Sequence, residues 1–127
     1  MYANTCQDQY QAKREKMTVV GYCRLSRDED KENFISIEEQ KIIIRDYAKS
    51  RNWNIADEDF YIDDNVSGYT FNRPAFSQMM KKLKKGEIDV VIVKDLSRVG
   101  RHNGRVLVLI DEFKNMQKNL IAVSEMG

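Results

Sequence analysis

A serine stands between two arginines where an apolar run that begins at Val19 ends, in the segment YCRLSR. If the run is an extended strand, Tyr22, Arg24 and Ser26 project from one face, because side chains alternate along a strand. A serine needs activation to act as a nucleophile, and the usual activator is a base. Here the neighbours are arginines, which bind phosphate oxygens through charge-assisted hydrogen bonds. The pattern predicts a serine that attacks a phosphodiester; a strand followed by a solvated polar turn is the alternative.

A second basic group lies at residues 94–105, KDLSRVGRHNGR, with four basic residues and one acidic residue. The net charge of the whole chain is only +1. A concentrated positive patch on a nearly neutral protein favours a focused phosphate site over non-specific coating of nucleic acid. We expect Ser97, Arg98 and Arg101 to face Ser26 if the strands that precede the two segments are neighbours.

Alternating strands and helices position these groups. The pattern predicts strands at 19–26, 59–62, 88–93 and 120–123, and helices at 34–51, 74–85 and 103–118. The run at 88–93 is nearly all β-branched, which is typical of a strand buried on both faces of a parallel sheet. The element order predicts an α/β fold, a mostly parallel four- to five-stranded sheet with helices on both faces.

Polar clusters follow the first three predicted strands, at residues 24–27, 63–68 and 94–101. In open α/β sheets, ligands bind beyond the carboxyl ends of the strands. The three clusters are therefore predicted to share one edge of the sheet. Ser36 and Glu39 have the spacing of a helix capping box, and Gln40 falls on the apolar stripe of that helix. Its amide either reaches into the polar site or marks a frustrated helix boundary.

The composition narrows the classes of protein to which this chain can belong. At 127 residues the chain is long enough for one domain, and no run approaches the roughly 18 apolar residues of a membrane span. Residues 1–16 are polar, so they do not form a secretory signal, and we expect a disordered leader. Cys6 and Cys23 can build neither a disulfide framework nor a metal cage, which indicates a cytoplasmic protein.

Other chemistries lack their motifs. His102 is the single histidine, but no G-x-S-x-G elbow surrounds any serine, and the chain has neither a Walker A loop nor G-x-G-x-x-G. Asp63 and Asp64 could hold a divalent cation, but adjacent carboxylates mostly cap a turn or lie in water. We therefore expect no metal and no cofactor.

Three ordered motifs resemble the catalytic domain of serine recombinases, the resolvase/invertase family, and are most similar to the large transposon-borne members. The motifs are YCRLS at 22–26, Ser67-Gly68 followed by Arg73-Pro74, and VKDLSRVGR at 93–101. The resemblance covers about Met17 to Gly127.

The resemblance implies site-specific DNA recombination, as in transposon excision or integration, resolution or inversion. Ser26 would cleave and religate DNA through a 5′-phosphoserine link, and Arg24, Arg98 and Arg101 would bind the phosphate. Dimers would assemble into tetramers on double-stranded recombination sites, and the covalent link would make ATP and metal unnecessary. The supporting active-site positions would be Tyr22, Gln40, Asp64, Ser67, Arg73, Lys82 and Ser97.

Two departures from the family pattern bear on these expectations. Small resolvases commonly carry Asp where this chain has Ser97. The role of a carboxylate at this position is therefore in doubt. The sequence also stops before the long dimer helix, with its further active-site arginine, and before the DNA-binding region. We therefore expect residues 17–127 to be a truncated catalytic domain that performs no recombination alone.

Two rival functions stay open. One is a non-catalytic regulatory module that keeps the fold and binds DNA or protein; the presence of Ser26 and the arginines weighs against it. The other is a different phosphate-binding enzyme, such as a small phosphatase, which a phosphomonoester turnover assay would separate.

Overall fold

A computed structural model of the chain describes residues 17–26, 35–66, 73–99 and 103–125, with the backbone alone at 26, 65, 66 and 103–105. Strands and helices alternate as predicted. The elements are β1 (Val19–Ser26), α1 (Ile37–Ser50), β2 (Phe60–Val66), α2 (Pro74–Lys84), β3 (Val90–Val93), α3 (Asn103–Asn115) and β4 (Asn119–Ala122). The predicted leader at 1–16 lies outside the described residues.

The four strands form one sheet in the order β2-β1-β3-β4, and every neighbouring pair is parallel. The predicted parallel α/β fold is therefore confirmed, with four strands among the described residues. The strand β1 is central, and it pairs with β3 from Val19 opposite Val90 to Gly21 opposite Ile92. The two strands that lead to the basic segments are thus neighbours, as the prediction required.

Helices cover both faces of the sheet. On one face, Ile44 of α1 packs in a buried apolar cluster with Cys23 of β1. On the other face, Met79 of α2 and Phe113 of α3 pack in a second cluster with Val91 of β3. All five side chains are buried. Each face of β1 and β3 is therefore covered, which explains why the sequence of β3 is continuously apolar. Among the described residues, no helix is both long enough and apolar enough to cross a membrane.

Helix α1 begins where the capping box predicts. The Ser36 hydroxyl accepts a hydrogen bond from the Glu39 N–H at 3.1 Å, and the Glu39 carboxylate accepts one from the Ser36 N–H at 3.5 Å. The helix therefore starts at Ile37 and not at position 34, which lies outside the described residues. Ser36 holds extended backbone angles and satisfies an N–H group that would otherwise have no partner within the helix.

The second strand is longer than predicted. The sequence predicts a strand at 59–62 and a loop from Asp63, but β2 runs to Val66. The polar residues stay in the strand because their backbones continue the ladder with β1, with Asp63 opposite Arg24 and Asp64 opposite Leu25. The register then skips one residue of β2 before Ser26 pairs with Val66. This skip is a β-bulge in β2, opposite the end of β1 that carries Ser26.

The ends of β3 and α3 also differ from prediction. The strand β3 begins at Val90, and Asp89 before it accepts hydrogen bonds from the Thr18 N–H and the Lys118 ammonium, each at 2.9 Å. Helix α3 ends at Asn115 and not at position 118. Its last predicted turn is absent because Gln117 adopts a left-handed backbone, with φ of 61°. Asp89 therefore joins β1, β3 and the segment after α3 at the amino edge of the sheet.

Gly21 allows β1 to lie close to its neighbours. A Cβ atom at Gly21 would lie 2.5 Å from Cε1 of Phe60 and 3.1 Å from Cγ2 of Ile44. Both are closer than an ordinary van der Waals contact. The absence of a side chain is thus what lets Phe60 of β2 and Ile44 of α1 pack against the centre of the sheet.

Candidate active site at the carboxyl edge of the sheet

The predicted polar segments meet at one edge of the sheet. Ser26 ends β1, Asp63 and Asp64 lie near the end of β2, and Lys94 follows β3 directly. Because all strands are parallel, these ends lie at the same edge. For the described residues of the three segments, the prediction of a shared edge is confirmed. For Ser26 the structure describes the backbone, which pairs with Val66.

The guanidinium groups of Arg24 and Arg98 each donate to the backbone carbonyl of the other residue. The Arg24 guanidinium donates from Nε to the Arg98 carbonyl at 3.1 Å and from Nη2 to the Ser97 carbonyl at 2.6 Å. Arg98 donates in return from Nη1 to the Arg24 carbonyl at 3.0 Å. Both residues are 2% exposed. The end of β1 and the turn that follows β3 are therefore joined by two buried guanidinium groups.

Arg73 adds a third guanidinium to this cluster. It precedes α2 and donates from Nη1 to the Val99 carbonyl at 2.9 Å and to the Arg98 carbonyl at 3.3 Å. Its guanidinium carbon lies 4.4 Å from the centre of the Phe76 ring, in cation–π contact. Arg24, Arg73 and Arg98 thus converge on the carbonyl groups of residues 97–99, and we call these three residues the arginine cluster.

Gln40 reaches the site from the other face of the sheet. Its side-chain oxygen accepts from the Arg24 N–H at 3.3 Å, and its amide nitrogen donates to the Arg24 carbonyl at 3.1 Å and the Ile35 carbonyl at 2.9 Å. The residue is completely buried. Of the two interpretations of this amide, the structure supports the one in which it reaches into the site, where it fixes the backbone of Arg24.

Asp63 is the buried carboxylate that the sequence interpretation did not assign. It is 3% exposed and accepts from the Tyr22 hydroxyl at 2.8 Å. It also accepts from the N–H groups of Ala75 at 3.0 Å and Phe76 at 3.1 Å, in the first turn of α2. A carboxylate at a helix N-terminus satisfies N–H groups that have no partner within the helix. Asp63 therefore anchors α2, and with it Arg73, to the sheet.

Tyr22 completes this anchor. Its ring packs edge-on against Phe76, with centroids 5.2 Å apart. Burial raises the pKa of the Tyr22 hydroxyl far above its ordinary value, and the negative charge of Asp63 raises that pKa further. The hydroxyl therefore stays protonated and acts as a hydrogen-bond donor to Asp63. The period-two alternation of β1 was the signal that placed Tyr22 on the same face as Arg24.

A carboxylate also lies beside Ser97. Asp95 accepts hydrogen bonds from the Ser97 N–H at 3.0 Å and from the Ser97 hydroxyl. Its oxygens lie 3.1 Å from the Lys94 ammonium and 3.7 Å from Nε of Arg98. Partial burial opposes ionisation of Asp95, but the Ser97 hydrogen bond and the charges of Arg98 and Lys94 outweigh it and lower its pKa. Small resolvases commonly carry a carboxylate at the position of Ser97. In this chain a carboxylate is present two residues earlier, at Asp95.

The structure places two predicted residues away from the arginine cluster. Asp64 is exposed and, next to Asp63 in β2, projects from the opposite face of the strand. The Lys82 ammonium lies over the Tyr61 ring, 5.7 Å from its centre, and about two and a half turns of α2 beyond Arg73. Ser67 and Arg101 lie outside the described residues.

The carboxyl edge carries both positive and negative side chains. The three guanidinium groups of the arginine cluster lie at this edge together with carboxylates, and within the described residues no group of three His, Cys, Asp or Glu side chains is arranged to hold a metal ion. The adjacent carboxylates of Asp63 and Asp64 lie on opposite faces of β2 and do not form one pair of ligands.

Comparison with known proteins agrees with this geometry. The family model described as "Resolvase, N terminal domain" matches residues 19–127. The N-terminal catalytic domain of TP901-1 integrase is 28% identical, with a TM-score of 0.71 over 85% of this chain and 78% of that one. A resolvase family site-specific recombinase from Streptococcus pneumoniae is 29% identical, with a TM-score of 0.69 over 86% of this chain and 73% of that one.

A third solved structure extends the likeness in fold. The C-terminal catalytic domain of ISC1926 TnpA, an IS607-like serine recombinase, has a TM-score of 0.68 at 21% identity, over 84% of this chain and 70% of that one. Fold and site together define a serine recombinase catalytic domain. The chain belongs to the resolvase family, and it is a site-specific recombinase.

Proposed function

We propose that this chain cleaves and rejoins double-stranded DNA with Ser26 as the nucleophile. The Ser26 oxygen bonds to phosphorus while the bond from phosphorus to the 3′ oxygen breaks. The serine hydroxyl loses its proton, and the departing 3′ oxygen gains one. The products are a 5′-phosphoserine link and a free 3′ hydroxyl, and attack by a 3′ hydroxyl in the reverse sense releases the serine.

The observation that carries the proposal is the arginine cluster next to the end of β1. Ser26 is two residues after Arg24, and the Arg24 guanidinium donates to carbonyl groups of the segment after β3. A phosphodiester at the carboxyl edge would lie beside the buried guanidinium groups of Arg24 and Arg98, which would exchange carbonyl oxygens for phosphate oxygens to bind it. Each charge-assisted hydrogen bond to a phosphate oxygen contributes about 1.5–3 kcal/mol. Arginine stays protonated, so its role is to stabilise developing negative charge and not to remove a proton.

The supporting residues take distinct roles in this proposal. Arg24 and Arg98, together with Arg101, bind the phosphate. Gln40 fixes the backbone of Arg24, while Tyr22 and Arg73 hold α2 against the edge of the sheet. Ser67, Asp64 and Lys82 stay predicted positions from the family pattern.

We also propose the assembly and extent of the active protein. The family acts on DNA and typically oligomerises, and we infer dimers that form a tetramer when two recombination sites meet. We take residues 17–127 as the catalytic unit, with a long dimer helix and a DNA-binding region supplied by further chain. The reaction needs neither ATP nor metal in this proposal, and its location in the cytoplasm stays a prediction.

The test is a covalent adduct between the protein and DNA. The full-length protein is incubated with DNA that carries the ends of the mobile element encoding it, and the products are separated on a denaturing gel. We expect an adduct with the wild-type protein and none with Ser26→Ala, which removes only the hydroxyl. Ser50→Ala is the matched control, because the Ser50 hydroxyl donates to the Tyr47 carbonyl on exposed surface, away from the site.

Two outcomes would contradict the proposal. An adduct that persists in Ser26→Ala would assign the nucleophile to another residue. DNA binding without any adduct in the wild-type protein would favour a regulatory module, and turnover of a phosphomonoester that depends on Ser26 would favour a phosphatase.

A further inference from the structure

Asp95 organises the turn that follows β3. It stands before the short 3₁₀ turn Leu96–Arg98 in an extended conformation, and its carboxylate accepts from the Ser97 N–H at 3.0 Å and from the Ser97 hydroxyl. The side chain is 19% exposed. Short side chains that accept from an N–H group two residues later are the usual caps of such turns.

The carboxylate also compensates positive charge. Lys94 lies 3.1 Å from one of its oxygens, and Nε of the buried Arg98 lies 3.7 Å from the other. Burying a guanidinium without a nearby negative charge is costly, since the charged group loses its hydration. Asp95 therefore favours the buried position of Arg98 in addition to shaping the turn.

The turn that Asp95 caps is the point on which the arginine cluster converges. The Ser97 and Arg98 carbonyls accept from Arg24, and the Arg98 and Val99 carbonyls accept from Arg73. Arg98 itself donates to the Arg24 carbonyl. A shift of this turn would therefore displace all three guanidinium groups together.

We propose that Asp95 is a positioning residue for DNA cleavage: it holds the turn at residues 96–98, and through that turn it aligns Arg24 and Arg98 for the scissile phosphate and keeps Arg73 in place beside them. The inference rests on the proposed function for its catalytic consequence. Asp95 does not itself touch the phosphate, because its negative charge would repel that group. Its effect is on geometry and on the charge beside Arg98.

The catalytic test compares Asp95 with Asp89, a carboxylate that makes similar contacts elsewhere in the fold. Asp89 also accepts from a backbone N–H and pairs with a lysine, Lys118, but it lies at the amino edge of the sheet, away from the arginine cluster. Its pKa is also lowered, since its hydrogen bonds from Thr18 and Lys118 outweigh partial burial. Asp89→Asn therefore reports what loss of such a carboxylate does to stability alone.

We expect Asp95→Ala to slow adduct formation ten- to a hundredfold while DNA affinity stays within twofold of wild type. Asp95→Asn should give an intermediate rate, because the amide oxygen can still cap the turn but the charge is lost. Asp89→Asn should cleave within twofold of the wild-type rate. Cleavage by Asp95→Ala at the wild-type rate, or an equal loss in Asp89→Asn, would overturn the inference.

A spectroscopic readout keeps the inference separate from the proposed function. In the ¹H–¹⁵N spectrum of the 127-residue chain, Asp95→Ala should shift or broaden the Nε–H signals of Arg24 and Arg98, and Asp89→Asn should leave both unchanged. Unchanged arginine signals in folded Asp95→Ala would refute the positioning role even if Ser26 is the nucleophile. If the signals move but the wild-type protein forms no adduct, the alignment stands and the proposed function fails.

Discussion

The adjacent carboxylates Asp63 and Asp64 differ by one position in β2, yet one is buried and structural and the other lies on the surface. Asp63 is buried and accepts three hydrogen bonds, from Tyr22 and from two N–H groups of α2. Asp64 is exposed. The sequence resemblance selected Asp64, whereas the structure gives the buried position to Asp63. Alternation along β2 is the reason, because the strand continues past the position where a loop was predicted.

This difference in burial predicts that replacing each aspartate by asparagine will lower the free energy of unfolding by different amounts. Asp63→Asn should lower the free energy of unfolding by about 2 kcal/mol, because it weakens charge-assisted hydrogen bonds at the N-terminus of α2. Asp64→Asn should change it by less than about 0.5 kcal/mol, as is usual for an exposed residue. Urea titrations followed by circular dichroism would measure both values. Equal costs for the two variants would show that Asp63 is not the anchor of α2.

At the scale of elements, β1 depends on close packing around a glycine. Phe60 of β2 and Ile44 of α1 occupy the space that a side chain at Gly21 would need. The strand can therefore be central in the sheet and still lie directly beneath α1. This contact joins β1, β2 and α1, which precede the segments that supply Arg73 and Arg98.

Gly21→Ala should destabilise the protein by about 2 kcal/mol, because the added methyl group overlaps the Phe60 ring. Combined with Phe60→Leu, the cost should be smaller than the sum of the single costs, which a double-mutant cycle would measure. Gly86→Ala is the control. Gly86 has φ of 83° and no atom within 4 Å of its added Cβ, so its cost of about 1 kcal/mol comes from backbone strain. Additive costs for Gly21→Ala and Phe60→Leu would contradict the packing argument.

At the scale of the whole molecule, most of the architecture could be predicted from sequence. The apolar run of β3 and the Ser36–Glu39 capping box are local signals, and the structure confirms both. The bulge near Ser26 could not be predicted, because it depends on how β2 pairs with β1. The roles of Asp63 and Asp95 were missed for a similar reason. Each depends on partners brought together by folding or by a turn whose geometry the residue types do not specify.

Global stability should fall at alkaline pH because two groups on β1 are buried in their neutral forms. Burial raises the pKa of the Cys23 thiol to about 12, and burial together with Asp63 raises the pKa of the Tyr22 hydroxyl. In the unfolded chain these groups ionise near pH 8.5 and 10. The folded state then binds more protons than the unfolded state, so stability is full below about pH 8.5 and decreases above it.

We expect the free energy of unfolding to fall by roughly 2 kcal/mol between pH 8 and pH 10, with Cys23 as the main cause. Urea titrations at a series of pH values would measure this slope. Cys23→Ala should flatten it in that interval, and Tyr22→Phe should flatten it mainly above pH 10. An identical slope in Cys23→Ala would mean that other groups control the alkaline transition.

The strand order has a consequence for how the protein is made. Of the four described strands, the one that carries Ser26 is synthesised first, but it lies in the middle of the sheet, between two strands that come later in the chain. Thr18 and its hydrogen-bond partner Asp89, just before β3, are 71 positions apart. At a translation rate of about 5–20 residues per second, the first strand waits roughly 4–14 seconds on the ribosome for that neighbour. Until β3 is made, the edge of β1 that will face it has unpaired N–H and C=O groups, so the active-site geometry at the end of β1 forms only after β3 has been synthesised.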